Sequence, residues 1–291
     1  MKRSLTTRKG TIHFPTYVPV TTFGKKYPLD ELIQPYFPRL AQAVMVSYHY
    51  AKQMKTPPRL PLFVDSGGFA ALFEGSTLRD DRGLGVLQIQ NETGGEELDP
   101  ATVLDFQEKH ADVAFTLDFP IPPSTTNRQA QLRQEMTIAN AIWAIRNRRR
   151  SDLKLYACIQ AWDPRSAAAC AAEMMKHPFD GFAIGGLVPR VKDWPLVTEM
   201  VESVLGEMSD SRPLHVFGVG KPDLVQKLYA MGVDSVDSSS YVKLAADGKR
   251  WDEPGFHRPD ATSTERLEFA IANLAAASRV RLPLSVMSDF N

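Results

Sequence analysis

The chain has 291 residues, 43% of them apolar, and its 34 basic residues (Lys and Arg) balance 34 acidic ones (Asp and Glu). A chain of this size can bury a large core, so we expect one domain spanning residues 1–291. The zero net charge excludes a global attraction to nucleic acid, so such binding has to depend on local patches. Only two cysteines occur, Cys158 and Cys170, which excludes a disulfide framework and any zinc site of three or four cysteines.

Membrane targeting is not indicated. The N-terminal stretch MKRSLTTRKGTIHF lacks the apolar run of a secretory signal peptide. No later stretch stays apolar over the roughly 20 residues that a membrane-spanning helix needs. We therefore expect a cytoplasmic protein that makes no membrane contact.

Short apolar or β-branched runs that end in Gly, Pro or a polar residue are typical of buried parallel strands. Eight such runs occur, over residues 16–20, 43–49, 62–67, 113–120, 153–160, 181–186, 214–220 and 235–239. Helical patterns fill most of the intervals and follow the last strand, over residues 101–110, 126–150, 165–177, 194–208, 222–232 and 263–280. This alternation favours an α/β fold of the (β/α)8 TIM barrel type, with a doubly wound open sheet as the alternative.

One interval departs from the alternation. The segment DDRGLGVLQIQNETGGEE, residues 80–97, follows the third strand and is rich in glycine. We interpret it as a long loop, for which a functional role and simple disorder are equally compatible with the sequence.

Polar residues at the carboxyl ends of the strands point to a site, because barrel enzymes build their active sites there. Asp65, Asp118, Gln160 and Asp237 all lie at or near such ends. Asp234 instead begins the eighth strand, so we interpret it as a turn or cap residue that serves stability.

Asp65 and Asp237 suggest a pair of acids with different tasks. Two carboxylates in one pocket can share glycosidic chemistry, one attacking the anomeric carbon while the other handles the proton of the leaving group. The same acids could form a structural ion pair or hold magnesium, which barrel enzymes often bind with strand-end carboxylates. Position along the chain does not choose between these readings.

Glycines and aromatic residues follow the same strands. The glycines, which allow close approach of a ligand or simply make turns, are Gly67, Gly68, Gly185, Gly186, Gly218 and Gly220. The segment FGVGKP could in addition cradle a phosphate at the start of a helix. Phe69 and Phe217 lie beside the acids and the amide, a combination that suits a flat heterocycle between two rings.

Taken in order, these segments resemble the tRNA-guanine transglycosylase family. The similar pieces extend from about residue 8 to 250 and are RKGTIHFPTYVPV, VSYHY, FVDSGGF, TLDFPIPP, the glutamine of ACIQ, AIGGLVPR, HVFGVGKP, and GVDSVDSSSY followed by DGKRW. The last four pieces are closer to the archaeal branch and to DNA 7-deazaguanine transglycosylases than to bacterial queuine-type enzymes, whose nucleophile motif continues with Cys and Pro.

The resemblance implies roles for the matching residues. Asp237 is expected to attack C1′ of the nucleotide as the nucleophile, and Asp65 to serve as the general acid/base. Asp118 and Gln160 are expected to hydrogen-bond a base that is flipped out or unpaired. The further base-binding residues that the family implies are Phe69, Gly185, Gly186, Leu187, Phe217 and Gly218. No organic cofactor is implied.

The chain also departs from the family. Most members bind zinc through cysteines and a histidine after the eighth strand, but no cysteine occurs here beyond residue 170. We therefore expect a barrel that lacks the zinc-binding subdomain and the RNA-binding extensions, and that holds no metal. These differences favour DNA over tRNA as the polymer, with guanine and a 7-deazaguanine such as preQ0 as the exchanging bases. A homodimer or accessory subunits are compatible with this reading.

Three alternatives remain. The first is a tRNA-guanine transglycosylase of the queuosine or archaeosine type. The second is a non-catalytic nucleic-acid-binding subunit of the same fold, against which the presence of both Asp65 and Asp237 argues. The third is an unrelated barrel hydrolase, which would release free product without incorporating a base.

Basic residues have different predicted roles at the two ends of the barrel. The run RNRRR, residues 146–150, ends a helix on the face away from the acids, so we interpret it as a solvated helix end. Lys243 and Arg250 follow Asp237 closely in sequence, and we expect them to contact the nucleic-acid backbone.

Overall fold

The computed structural model describes residues 3–23, 27–91 and 94–281. Its contacts group the chain into two compact units. Unit 1 consists of Met1–Leu62 and Gly218–Asn291, and unit 2 of Phe63–Phe217. The expectation of one domain over residues 1–291 stays a prediction.

The elements alternate as the sequence predicts. Within the described ranges the strands are β1 Ser4–Thr7, β2 Gly10–His13, β3 Thr16–Pro19, β4 Val44–Val46, β5 Leu62–Val64, β6 Thr77–Asp81, β7 Leu84–Asn91, β8 Gly94–Leu98, β9 Val113–Phe115, β10 Lys154–Ile159, β11 Gly181–Ile184, β12 Leu214–Val216 and β13 Ser235–Ser238. The α-helices are α1 Pro28–Ile33, α2 Phe37–Leu40, α3 Tyr48–Ala51, α4 Pro100–His110, α5 Asn127–Asn147, α6 Pro164–Met175, α7 Trp194–Glu207, α8 Pro222–Met231, α9 Ser240–Ala246 and α10 Ser263–Ser278.

The eight predicted parallel strands form one sheet, in the order β3-β13-β12-β11-β10-β9-β5-β4. An isolated parallel bridge between Val20 and Met45 joins the two terminal strands of this order. The chain therefore has the (β/α)8 fold, and the predicted fold class is confirmed. Several strands are shorter than predicted, because the glycines and polar residues at their carboxyl ends leave the ladder and form the loops.

Polar residues between strand and helix determine where several helices begin. The side chain of Asp99 accepts hydrogen bonds from the first backbone N–H groups of α4. Thr126, Asp163 and Thr262 start α5, α6 and α10, each in a reciprocal capping box. No helix in the described part of the chain is long and apolar enough to cross a membrane.

The interpretation of residues 80–97 as a loop is wrong, because β6, β7 and β8 form a three-stranded antiparallel sheet. Arg82 and Gly83 both have positive φ, 57° and 86°, as the tight turn between β6 and β7 requires. Along β7, buried Leu87 and Ile89 alternate with the exposed residues Gln88 and Gln90. This two-residue period is a strand signal that the surrounding glycines obscured.

The arginines after α5 are more than a solvated helix end, which corrects the prediction for residues 146–150. Arg148 forms an ion pair with Asp180. Arg149 Nε donates to Glu108 Oε2 at 3.0 Å. Arg150 donates to two carbonyl oxygens at the carboxyl end of α4. The run therefore links α5 to its neighbours within unit 2.

The start of β13 carries a buried carboxylate in an ion pair. Arg3 Nε lies 3.0 Å from Asp234 Oδ1, and the exposed fractions of these side chains are 40% and 3%. Arg3 also donates from Nη2 to the carbonyl oxygen of Gly232 at 2.9 Å. Asp234, which is buried, thus forms an ion pair, an interaction that the sequence did not predict. Its role in stability stays a prediction.

We expect Asp234→Ala to lower the free energy of unfolding by about 1–2 kcal/mol, because a charge-assisted interaction is lost while the partly exposed Arg3 rehydrates. Urea denaturation followed by circular dichroism measures the change. Arg3→Ala and the double variant complete the cycle, and the double variant should lose less than the sum of the single changes. Additive losses would contradict a direct coupling between the two side chains.

Candidate active site

Asp118 is the centre of a hydrogen-bonded cluster in unit 2. The residue is 7% exposed, and its carboxylate accepts from Ser66 Oγ at 2.7 Å and from Gln160 Nε2 at 2.6 Å. Burial raises the pKa of Asp118, while the two donors favour the charged form and offset part of that effect. We call Ser66, Asp118, Gln160, Gly185 and Gly186 the Asp118 cluster.

Gln160 is oriented from both sides. Gln134 Nε2 donates to its backbone carbonyl at 2.6 Å, and its own Nε2 donates to Asp118. Its Oε1 is buried and accepts no hydrogen bond from the residues that the structure describes. A buried acceptor without a donor costs free energy, so this atom is a candidate acceptor for a donor supplied by a ligand or by water.

Two glycines pack directly against the Gln160 amide. A Cβ at position 185 would lie 2.3 Å from Gln160 Nε2, and one at position 186 would lie 3.2 Å from Oε1. Gly186 also has φ +73°, a conformation that L side chains rarely adopt. Arg190, which is buried, donates from Nη1 to the carbonyl oxygen of Gly186 at 2.6 Å. Leu187, the next predicted residue, is completely buried.

The turn after β5 connects Asp65 to the Asp118 cluster. Asp65 is half-buried, and its Oδ1 accepts from the N–H of Gly67 at 3.0 Å. A Cβ at position 68 would lie 1.8 Å from the carbonyl oxygen of Asp118, so only glycine fits there. The next residue, Phe69, is 63% exposed. The exposed ring of Phe69 therefore follows directly after a glycine that packs against the backbone of Asp118.

Asp237 is the penultimate residue of β13, in unit 1. Its side chain is buried, and Oδ1 accepts from the N–H of Gly218 at 3.0 Å. Tyr17 donates its hydroxyl to the carbonyl of Ser238 at 3.1 Å. Burial and then the charge of Asp237 raise the pKa of Tyr17 well above its ordinary value, so Tyr17 stays a neutral donor.

The other predicted residues have distinct surroundings. Phe217 is half-buried in unit 2, where its ring centroid lies 4.8 Å from that of Phe115 and 5.0 Å from that of His215.

The two basic residues predicted to contact phosphate lie in unit 1. Lys243 is on α9. Arg250 forms ion pairs with Asp252 and Glu253, at 2.5 and 3.2 Å, so its charge is balanced locally. Lys243 is therefore the better candidate for a phosphate contact.

Sequence reasoning missed several residues of this arrangement. Ser66 lies inside the FVDSGGF motif, but a serine before two glycines is equally typical of a turn. Gln134 donates to a backbone carbonyl from a position without any motif. Arg190 ends the AIGGLVPR piece, but the sequence gave no reason to assign it a contact with the Gly186 carbonyl. Among the described residues, no group of three or more His, Cys, Asp or Glu side chains is placed to hold a metal ion.

Comparison with known proteins agrees with these features. A family model described as queuine tRNA-ribosyltransferase matches residues 3–258. The tRNA-guanine(15) transglycosylase of Methanothermobacter thermautotrophicus is 28% identical over 266 residues, 87% of this chain and 38% of that protein. Enzymes of the same name from Methanobrevibacter smithii and Methanocaldococcus jannaschii are 30% and 31% identical, over 54% and 56% of this chain and 25% and 26% of theirs.

These relatives bear on the predictions about branch and polymer. Their archaeal origin confirms the similarity to the archaeal branch. Their names specify tRNA, so the expectation that DNA is the favoured polymer is not supported, and the tRNA alternative fits better. This chain spans less than half the length of these relatives.

Asp118→Asn should change how stability depends on pH. The pKa of Asp118 is higher in the folded than in the unfolded state. Its contribution to the free energy of unfolding is therefore fully present below the unfolded pKa of about 4, and it is lost as pH rises through the folded pKa. The melting temperature of Asp118→Asn relative to the unsubstituted protein should therefore increase between pH 4 and pH 8. Ser66→Ala, which removes a donor to the carboxylate, should steepen the loss with pH. A difference between Asp118→Asn and the unsubstituted protein that stays constant or falls with pH would be inconsistent with a raised pKa.

Proposed function

The chain belongs to the family described as queuine tRNA-ribosyltransferase, and we propose that it exchanges guanine in tRNA for another guanine-like base through a covalent intermediate. The observation that carries this proposal is the Asp118 cluster. It presents buried carboxylate and amide oxygens beside glycine backbone, where a flat base can approach closely. The open ring of Phe69 follows in the same turn.

The acceptors of the cluster favour guanine over adenine. Guanine carries N1–H and a 2-amino group on one edge, and both are donors. Gln160 Oε1 is an unsatisfied acceptor, and an ionised carboxylate has lone pairs beyond the two that Ser66 and Gln160 use. Adenine would leave buried acceptors unpaired, which is the basis of strong discrimination in such sites.

In the proposed first step, an oxygen of Asp237 forms a bond to C1′ while the bond from C1′ to N9 of guanine breaks. The electron pair stays on guanine, and Asp65 supplies the proton, so that guanine leaves as a neutral base. The hydrogen bond from Gly218 N–H supports this role because it orients the Asp237 carboxylate.

The second step reverses the first with a different base. The incoming base gives its N9 proton to Asp65, and its nitrogen forms the new bond to C1′ as the bond to Asp237 breaks. Asp65 regains its proton and Asp237 regains its electron pair, so these steps require no organic cofactor. A 7-deazaguanine of the preQ0 kind suits the same site, because substitution at position 7 leaves the N1–H and 2-amino edge unchanged.

The nucleotide must leave its stack to reach these groups. Phe69, with its exposed ring, is proposed to stack on the extruded base, and Lys243 to contact a phosphate. The corresponding role of Phe217 as a second stacking residue is also part of the proposal. A homodimer, accessory subunits and a cytoplasmic location remain predictions.

Labelled guanine tests the reaction and the polymer together. We expect the protein to incorporate the label into unmodified tRNA and not into double- or single-stranded DNA of similar length, measured as acid-precipitable label. Label in DNA alone would replace tRNA by DNA as the polymer. Incorporation into neither polymer, by protein with an unchanged melting temperature, would overturn the exchange reaction.

Asp234, directly before β13, provides a matched comparison for the nucleophile Asp237. Asp237→Asn should lose exchange by at least about 10³-fold, because an amide is a poor nucleophile, and should form no denaturant-stable adduct with tRNA. Asp234→Asn should retain exchange at temperatures where it is folded. Gel electrophoresis under denaturing conditions detects the adduct. Full exchange by Asp237→Asn would exclude it as the nucleophile.

A further inference from the structure

Exposed large hydrophobic side chains are concentrated next to the Asp118 cluster. In the described part of the chain they are Tyr27, Leu32, Phe69, Leu72, Phe73, Leu132 and Val188. Three of these seven lie within residues 69–73, with exposed fractions of 63% for Phe69, 38% for Leu72 and 54% for Phe73. We call these three the Phe73 patch. Such clustering of apolar side chains on a surface usually indicates a binding site.

The backbone holds the patch in place. Phe69 and Leu72 belong to the 3-10 turn Gly68–Leu72, and Phe73 follows directly. The N–H of Gly68 donates to Ser66 Oγ at 3.1 Å, and that of Phe73 donates to the carbonyl of Ala70 at 3.0 Å. Because Gly68 also fits closely against the Asp118 carbonyl, the two rings are presented on a turn anchored to the cluster.

The two rings are arranged edge to face. Their centroids lie 5.9 Å apart, and their planes cross at 83°. A base stacked flat on Phe73 would therefore be turned by roughly a right angle from a base stacked flat on Phe69. Neighbouring bases adopt such an arrangement only when the strand is splayed, and extrusion of the target nucleotide splays it.

The size of the patch limits what can cover it. Three partly exposed side chains offer on the order of 300 Å², whereas a stable protein interface needs about 800 Å² on each partner. Two neighbouring nucleobases, one on each ring, match this area and the flat ring faces. The patch is also continuous with the turn that carries Phe69, the residue proposed to stack on the target base.

We propose that Phe73 is a second stacking platform, which receives the unpaired base next to the target nucleotide in the polymer. This inference rests on the proposed function, because it names a further contact of the same substrate. Stacking of one base on an aromatic side chain contributes enough affinity to be measured, and it tolerates any base because every base has a flat face. Phe73 therefore contributes to holding the polymer and not to choosing the exchanged base.

Phe73→Ala tests the platform, because the loss of a polymer contact should change the KM for tRNA but not kcat. We expect the KM for tRNA to rise at least about fivefold, the lower end for one lost stack, while kcat and the KM for guanine stay unchanged. Phe73→Trp should retain the KM for tRNA. Leu132→Ala, which removes an exposed side chain on α5, is the matched control and should change none of these constants.

A second measurement locates the base. Substrate RNA carrying 2-aminopurine on one or the other side of the target nucleotide should show altered fluorescence at one of these positions with the unsubstituted protein, and a weaker change with Phe73→Ala. If Phe73→Ala still exchanges guanine and changes neither the KM for tRNA nor the fluorescence, the stacking role of Phe73 is wrong while the proposed function stands. If Phe73→Ala forms a smaller oligomer than the unsubstituted protein, the stacking role is also wrong, because Phe73 then contacts another protein chain. Absence of exchange in the unsubstituted protein would instead concern the proposed function.

Discussion

The buried carboxylate of Asp118 is the constraint on which the rest of the site depends. A charge out of water is costly unless donors surround it, and Ser66 and Gln160 supply them. Gln160 Nε2 donates to Asp118, while its Oε1 accepts no hydrogen bond from the part of the chain that the structure describes. The proposed preference for a base with donors on its edge rests on the way in which the protein satisfies its own acid.

Close packing of glycine makes this arrangement achievable. Gly185 lies against the Gln160 amide, and Gly68 lies against the Asp118 carbonyl, at distances that no side chain could occupy. The same contact at Gly68 anchors the short turn that carries Phe69 and Phe73. Two aromatic rings thus remain exposed on a turn whose backbone is already held in place.

Two acids three residues apart at β13 have different surroundings. Asp234, directly before the strand, is paired with Arg3, whereas Asp237 near its end accepts from the N–H of Gly218. The arginines after α5 contribute in the same sense within unit 2, since they connect neighbouring helices and loops rather than a ligand. Barrel folds generally place stabilising contacts at the amino ends of strands and functional groups at the carboxyl ends.

The sequence by itself determined the eight strands, most of the helices and the strand-end position of Asp65, Asp118, Gln160 and Asp237. These features are local, because burial of a strand and capping of a helix leave their patterns in neighbouring residues. The strands β6 to β8 escaped prediction because glycines interrupt their alternation. Only the tertiary structure decided that Ser66 and Gln160 meet at Asp118, that Gly68 fits beneath its carbonyl, and that Arg3 pairs with Asp234. Such partners are far apart in the chain, and their choice depends on distances in space that packing alone establishes.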